Sequence, residues 1–261
     1  MNNIIEGYLG KRVDGKKSRL PAKLDFIQSA TGLFLGLFMW GHMFFVATIL
    51  ISEDALNAVA GAFEGSFLFS EKQPLIVSFI VFVVFCIFVV HACLGMRKLP
   101  INFRQYQIYK AHASYMKHND TSLWFWQAKT GFIMFFLGSA HLIIMMTNPA
   151  ITAEISGGRM YSHFMWPFYL ILLLAVELHG GIGLYRLCVK WGWFEGKDAK
   201  ETRKKLSKVK WTLTAFFLAL GLITLLAYVK VGYKYATQNQ NASHIEHVMQ
   251  KIDTDSMKAR I

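Results

Sequence analysis

Five stretches of this chain are long enough, and apolar enough, to cross a lipid bilayer: Phe26 to Ile51, Leu75 to Met96, Leu123 to Thr147, Phe164 to Leu187 and Trp211 to Val229. A bilayer's hydrocarbon core takes about 20 residues of helix to cross. Inside it each backbone N–H and C=O must be satisfied within its own segment, so helices are the expected form. Polar or basic residues flank every stretch, and the one proline near a start, Pro167, falls in a first turn, where proline is tolerated. With 54% hydrophobic and only 17% charged residues, the chain reads as an all-α integral membrane domain over residues 26–230. A short N-terminal segment (1–25) precedes it and a tail (231–261) follows.

The basic residues orient it. Six precede Phe26 (Lys11, Arg12, Lys16, Lys17, Arg19, Lys23), five lie between Arg97 and Ser122, and nine between Arg186 and Lys210. The two opposite loops carry one each, Lys72 and Arg159. Because basic loops stay in the cytoplasm, the N-terminus is expected inside and the tail outside, against the five basic residues that follow Val229. No apolar core precedes Phe26, so no cleaved signal peptide is expected. The net charge of +12 is this topological signal plus attraction to anionic lipid, and no basic-aromatic motif points to nucleic acid. Cys86, Cys93 and Cys188 form neither a CxxC pair nor a haem-attachment motif, and read as small apolar helix residues.

His42, His91, His141 and His179 fall one in each of the first four spans. Ionisable side chains at this depth are costly and usually functional. His42 and His141 lie 16 and 18 residues into helices running outward, and His91 and His179 lie 16 and 15 residues into helices running inward. At about 1.5 Å per residue, this sorts them into an outer pair, His42 with His141, and an inner pair, His91 with His179. Two imidazoles facing one another across a bundle suit bis-histidine haem ligation, whereas zinc would want a third or fourth ligand. Gly95, Gly138 and Gly183 share a face with their neighbouring histidines and are expected to leave room for a macrocycle or to serve helix packing. Gly32 and Gly36 read as a packing stripe.

Glu177, the one acidic residue deep in a span, is a candidate proton relay or a hydrogen-bonded protonated acid. Glu64 lies in the outer loop within Ala62-Phe63-Glu64-Gly65 and could accept a proton from a quinol. Glu53, Asp54 and Glu71 share that loop, and spacing does not choose among them. Lys190 and Arg159 are placed to meet haem propionates or to serve as interfacial anchors.

The stretches KKSRLPAKLDFIQSATGLFLGLFMWGHMFF, MRKLPINFRQY, DTSLWFWQAKTGFIMFFLGSAHL and MWPFYLILLLAVELHGGIGLYRLCVKWGWF resemble the di-haem cytochrome b subunit of bacterial menaquinol:fumarate reductases, in the succinate:quinone oxidoreductase superfamily. The resemblance runs from about Lys17 to Lys230 and leaves the tails uncovered. It implies two haem b groups, a proximal one on His91 and His179 and a distal one on His42 and His141. It implies that Glu64 accepts protons from menaquinol and that Glu177 belongs to a proton pathway. Gln28, Ser29, Trp124 and Lys190 match residues contacting the proximal propionates, and Arg159 matches one near the distal haem. It further implies iron-sulfur and flavoprotein subunits on the cytoplasmic face, the latter reducing fumarate in anaerobic respiration. A dimer of heterotrimers in the bacterial inner membrane is the candidate assembly. Alternative readings are a quinone-reactive subunit of a succinate dehydrogenase, hydrogenase or formate dehydrogenase, or a haem-free proton transporter.

Overall fold

The computed structural model describes residues 19–69, 71–116 and 119–258. Lys11, Arg12, Lys16, Lys17, Lys117 and Arg260, part of the charge count above, lie outside them. Eight α-helices run through the described residues: α1 (Leu20–Ala47), α2 (Glu53–Phe63), α3 (Pro74–Met96), α4 (Phe103–Met116), α5 (Asn119–Thr147), α6 (Ala153–Tyr161), α7 (Trp166–Trp191) and α8 (Ala199–Lys258). The five long ones, α1, α3, α5, α7 and α8, meet the length and hydropathy of membrane spans. The molecule is an all-α multi-pass membrane protein.

Contacts close α1, α3, α5 and α7 into a ring, each packed on the next and α7 back on α1, while α8 packs outside against α7 and α1. This is the expected four-helix bundle with a fifth helix beside it. The fourth span begins two residues later than its apolar run. Phe164 adopts φ 53°, which a right-handed helix cannot include, and the helix starts at Trp166 after Met165.

The connections at the end of the bundle away from α4 are themselves helical. Ser52 caps α2, its hydroxyl accepting from the Ala55 N–H at 2.9 Å, and Glu53 and Asp54 in the first turn complement the helix dipole. At the other end Gly65, at φ 80°, lets the Ser66 N–H reach back to the Gly61 carbonyl at 2.9 Å, a left-handed C-terminal cap. That cap stops α2 at Glu64. Thr152 caps α6 in the same way as Ser52.

α8 departs most from expectation. Its apolar run stops at Val229, but the helix continues to Lys258, 60 residues in all, or roughly 90 Å at about 1.5 Å per residue. The stretch beyond Val229 lies along α6, where a Cβ at Gly157 would come 2.7 Å from the Gly232 backbone nitrogen. Only two glycines permit so close a crossing. Tyr233 packs edge-on against Tyr161, ring centroids 5.4 Å apart.

Just beyond, Lys234 Nζ donates to Glu53 Oε1 at 2.8 Å and Tyr235 OH to Oε2 at 2.7 Å. The Lys234 hydrogen bond, then that of Tyr235, holds the Glu53 carboxyl below its usual 4.5, with burial opposing. A carboxyl with a depressed folded value stabilises above its unfolded value and loses that contribution as pH falls through the folded one. The protection of the amides of residues 231–243, their intrinsic exchange rates divided by the observed ones at each pH, is therefore expected to fall as pH drops below 4.5. In Glu53→Gln that protection should already be low at neutral pH and should not fall further across the acid range.

Candidate functional site

The ring of four helices brings the four span histidines together in two pairs. His42 of α1 faces His141 of α5 with ring centroids 6.2 Å apart, and His91 of α3 faces His179 of α7 at 6.4 Å. Two metal–imidazole bonds of about 2 Å, plus roughly 1 Å from each ligating nitrogen to its ring centroid, add to about 6 Å. Both pairs therefore fit a single metal between two axial imidazoles. Among the described residues no three His, Cys, Asp or Glu side chains group as a metal cluster, in keeping with two protein ligands per centre.

Hydrogen bonds orient the His91–His179 pair. His91 Nδ1 lies 3.2 Å from the Gln28 carbonyl, with Thr31 Oγ1 also at 3.2 Å, and His179 Nδ1 lies 2.9 Å from the Gln127 carbonyl. A carbonyl can only accept, so each Nδ1 carries the proton and each Nε2 keeps its lone pair for a metal. Close glycines on the facing helices hold the rings. A Cβ at Gly32 would come 2.8 Å from His91 Cε1, and one at Gly131 2.8 Å from His179 Cε1.

The other pair is held by aromatic rings. Phe38 stacks on His42 at 6.1 Å, Phe45 tilts against it at 6.0 Å, and Tyr169 OH lies 3.3 Å from His141 Nδ1. The glycines expected to leave space face other groups: a Cβ at Gly95 would meet Gln28, at Gly138 Phe88, and at Gly183 Gln127. Gly32, expected only to pack helices, and Gly131, not singled out in the sequence, are the ones against imidazoles.

At the α4 end, Lys190 Nζ donates to Ser29 Oγ at 2.9 Å and pairs with Asp25, as does Lys98. Gln28 Oε1 is buried without a hydrogen-bond partner among the described residues. Amide O and N are interchangeable by a flip, so Gln28 can instead present an NH2 there, and a buried donor lacking an acceptor suits an anionic ligand group. Arg186, absent from the sequence-based candidates, donates to Gln127 Oε1 at 2.6 Å. Trp124 stacks on Tyr109 of α4, centroids 5.9 Å apart. It lines a cavity of about 480 Å³ with His112, Asp120, Tyr185, Arg186 and Lys190.

The acidic candidates separate by burial. Glu64 is 3% exposed, while Glu53, Asp54 and Glu71 are not buried. The Ile151 N–H donates to Glu64 Oε1 at 3.4 Å, and Lys72 Nζ stands 4.0 Å from Oε2. Phe63, the residue before it, packs against Phe45 at 5.1 Å, and Phe45 against His42, so Glu64 is joined to the His42–His141 pair through two rings. Glu177 is 1% exposed in mid-α7, its Oε1 without a hydrogen-bond partner among the described residues. Arg159 lies in the last turn of α6, donating to the Asn148 carbonyl at 2.8 Å and the Ala150 carbonyl at 3.4 Å. Its Nη1 lies 3.3 Å from Met145 Sδ.

Comparison with known proteins gives the family. Residues 102–220 match the succinate dehydrogenase/fumarate reductase transmembrane subunit family. The chain is 53% identical over 246 residues to the fumarate reductase cytochrome b subunit of Wolinella succinogenes, covering 94% of this chain and 96% of that one. It is also 53% identical over 230 residues to the fumarate reductase cytochrome b subunit of Helicobacter pylori, covering 88% and 89%.

Proposed function

Because the chain belongs to the succinate dehydrogenase/fumarate reductase transmembrane subunit family, we propose that it is the cytochrome b subunit anchoring a fumarate reductase in the membrane, where it oxidises menaquinol. The observation that carries this reading is the pair of cross-bundle imidazole contacts, at 6.2 and 6.4 Å between centroids.

His42 with His141 and His91 with His179 each hold one haem b, and when bound these groups supply one-electron carriers at two depths of the bundle. The chain's own work is to fix ligands and move protons. Backbone carbonyls of Gln28 and Gln127 keep Nε2 of His91 and His179 aimed into the bundle. Gln28, Ser29 and Lys190 provide donors for propionates at the α4 end, with Trp124 against the same mouth, and Arg159 serves the other end.

Menaquinol oxidation releases two protons with its two electrons. Glu64 takes up one of these protons there, its carboxylate buried against the Ile151 N–H and within 4.0 Å of Lys72 Nζ. Glu177, buried with one oxygen unpartnered among the described residues, belongs to a proton route between the two levels. The α4 end faces the cytoplasm, where iron-sulfur and flavoprotein subunits attach and fumarate is reduced, and the α2/α6 end faces the periplasm. Two such complexes pair in the inner membrane.

The haem-to-protein ratio of the purified complex, with its reduced-minus-oxidised spectrum, tests the reading. About two low-spin b-type haems per chain are expected. A folded, haem-supplied preparation without them would overturn the proposal in favour of a haem-free proton pathway.

A further inference from the structure

Asp25 has no part in the reading above, yet it organises the α4 end of the bundle. It lies three, four and seven residues before Gln28, Ser29 and Gly32, so the four share one face of α1, the face that meets His91. Lys98 and Lys190 both pair with its carboxylate, and Arg97 Nη2 stands 3.9 Å away. Lys190 Nζ also lies 3.4 Å from the Asp25 carbonyl, and Ser29 Oγ donates to that same oxygen at 2.9 Å. The cations come from the last turn of α7 and from the residues just after α3, the two helices that carry His179 and His91. Three positive side chains thus converge on one acid, one turn before Gln28, whose Oε1 has no hydrogen-bond partner among the described residues.

We propose that Asp25 is a positioning residue of the His91–His179 haem site, gathering Lys98, Lys190 and Arg97 at its mouth and supplying the negative charge that holds that haem's reduction potential down. The inference rests on this pair holding a haem. Reduction adds an electron to the iron, so nearby cations favour the reduced state and a nearby anion opposes it. Local charge, with burial and ligand hydrogen bonding, is how a protein sets such a potential. With Asp25 in place, part of the field of three cations is cancelled at its source. Without it, that part of the field is no longer cancelled.

The test is a redox titration of the assembled complex in which the two haems are resolved spectroscopically. Asp25→Asn is expected to raise the potential of the His91–His179 haem by up to a tenfold change in its reduction equilibrium, 59 mV for one electron. The other haem should stay where it was, and Asp25→Glu should restore most of the shift. An unmoved potential in an intact Asp25→Asn complex, or equal movement of both haems, overturns the proposal. If Asp25→Asn does not assemble, Lys98→Met decides, because loss of one cation must lower the same potential, and a rise or no change overturns the idea. Absence of bis-histidine haem from the unmodified complex would instead sink the functional reading, and the unmodified spectrum reports that separately.

Discussion

His141→Ala, like His42→Ala, is expected to take the haem content from about two per chain to about one, and to leave the remaining haem with an unaltered low-spin spectrum. The two pairs share no ligand and draw on different helices, α1 with α5 and α3 with α7. Removing one imidazole leaves a single axial ligand in one pair, while the other keeps its hydrogen bonds to the Gln28 and Gln127 carbonyls. Quinol oxidation should stop with it, because Glu64 is joined through Phe63 and Phe45 to His42. A His141→Ala complex that retained both haems would show that these imidazoles are not partners.

Glu64→Gln is expected to leave both haems in place and to slow quinol oxidation by roughly 10²–10⁴-fold, the usual worth of a positioned proton acceptor. Glutamine keeps the volume and can still accept from the Ile151 N–H, but it cannot take a proton. Turnover assayed with a reduced quinol analogue, beside haem content on the same sample, separates the two effects. Undiminished turnover would remove Glu64 from the reaction.

The bundle could be read from the chain because lipid simplifies the problem: apolar runs mark spans, and alternation of direction plus residue count places each histidine at a depth. The pairing of His42 with His141 and His91 with His179 needs no more than that. Glu64 could not be separated from Glu53, Asp54 and Glu71 by such counting. Its burial comes from α2 ending in a glycine cap and from Ile151, 87 residues away, approaching its carboxyl. The glycines against His91 and His179 were equally out of reach, since Gly32 and Gly131 stand on the facing helices and one helix's periodicity does not say what lies opposite. The same holds for Asp25, whose partners arrive from two other spans. α8 teaches a further distinction: the apolar run ending at Val229 reports composition and says nothing of where the helix ends.

The length of α8 also sets an order of assembly. Gly232, Tyr233, Lys234 and Tyr235, which latch α6 and α2, leave a ribosome after all four paired histidines. The histidine helices can meet before the latch exists, and during that interval the α2/α6 cover over the Glu64 end is unfastened. That end of the bundle is therefore closed by a segment made after the helices it covers, once the fifth span has crossed.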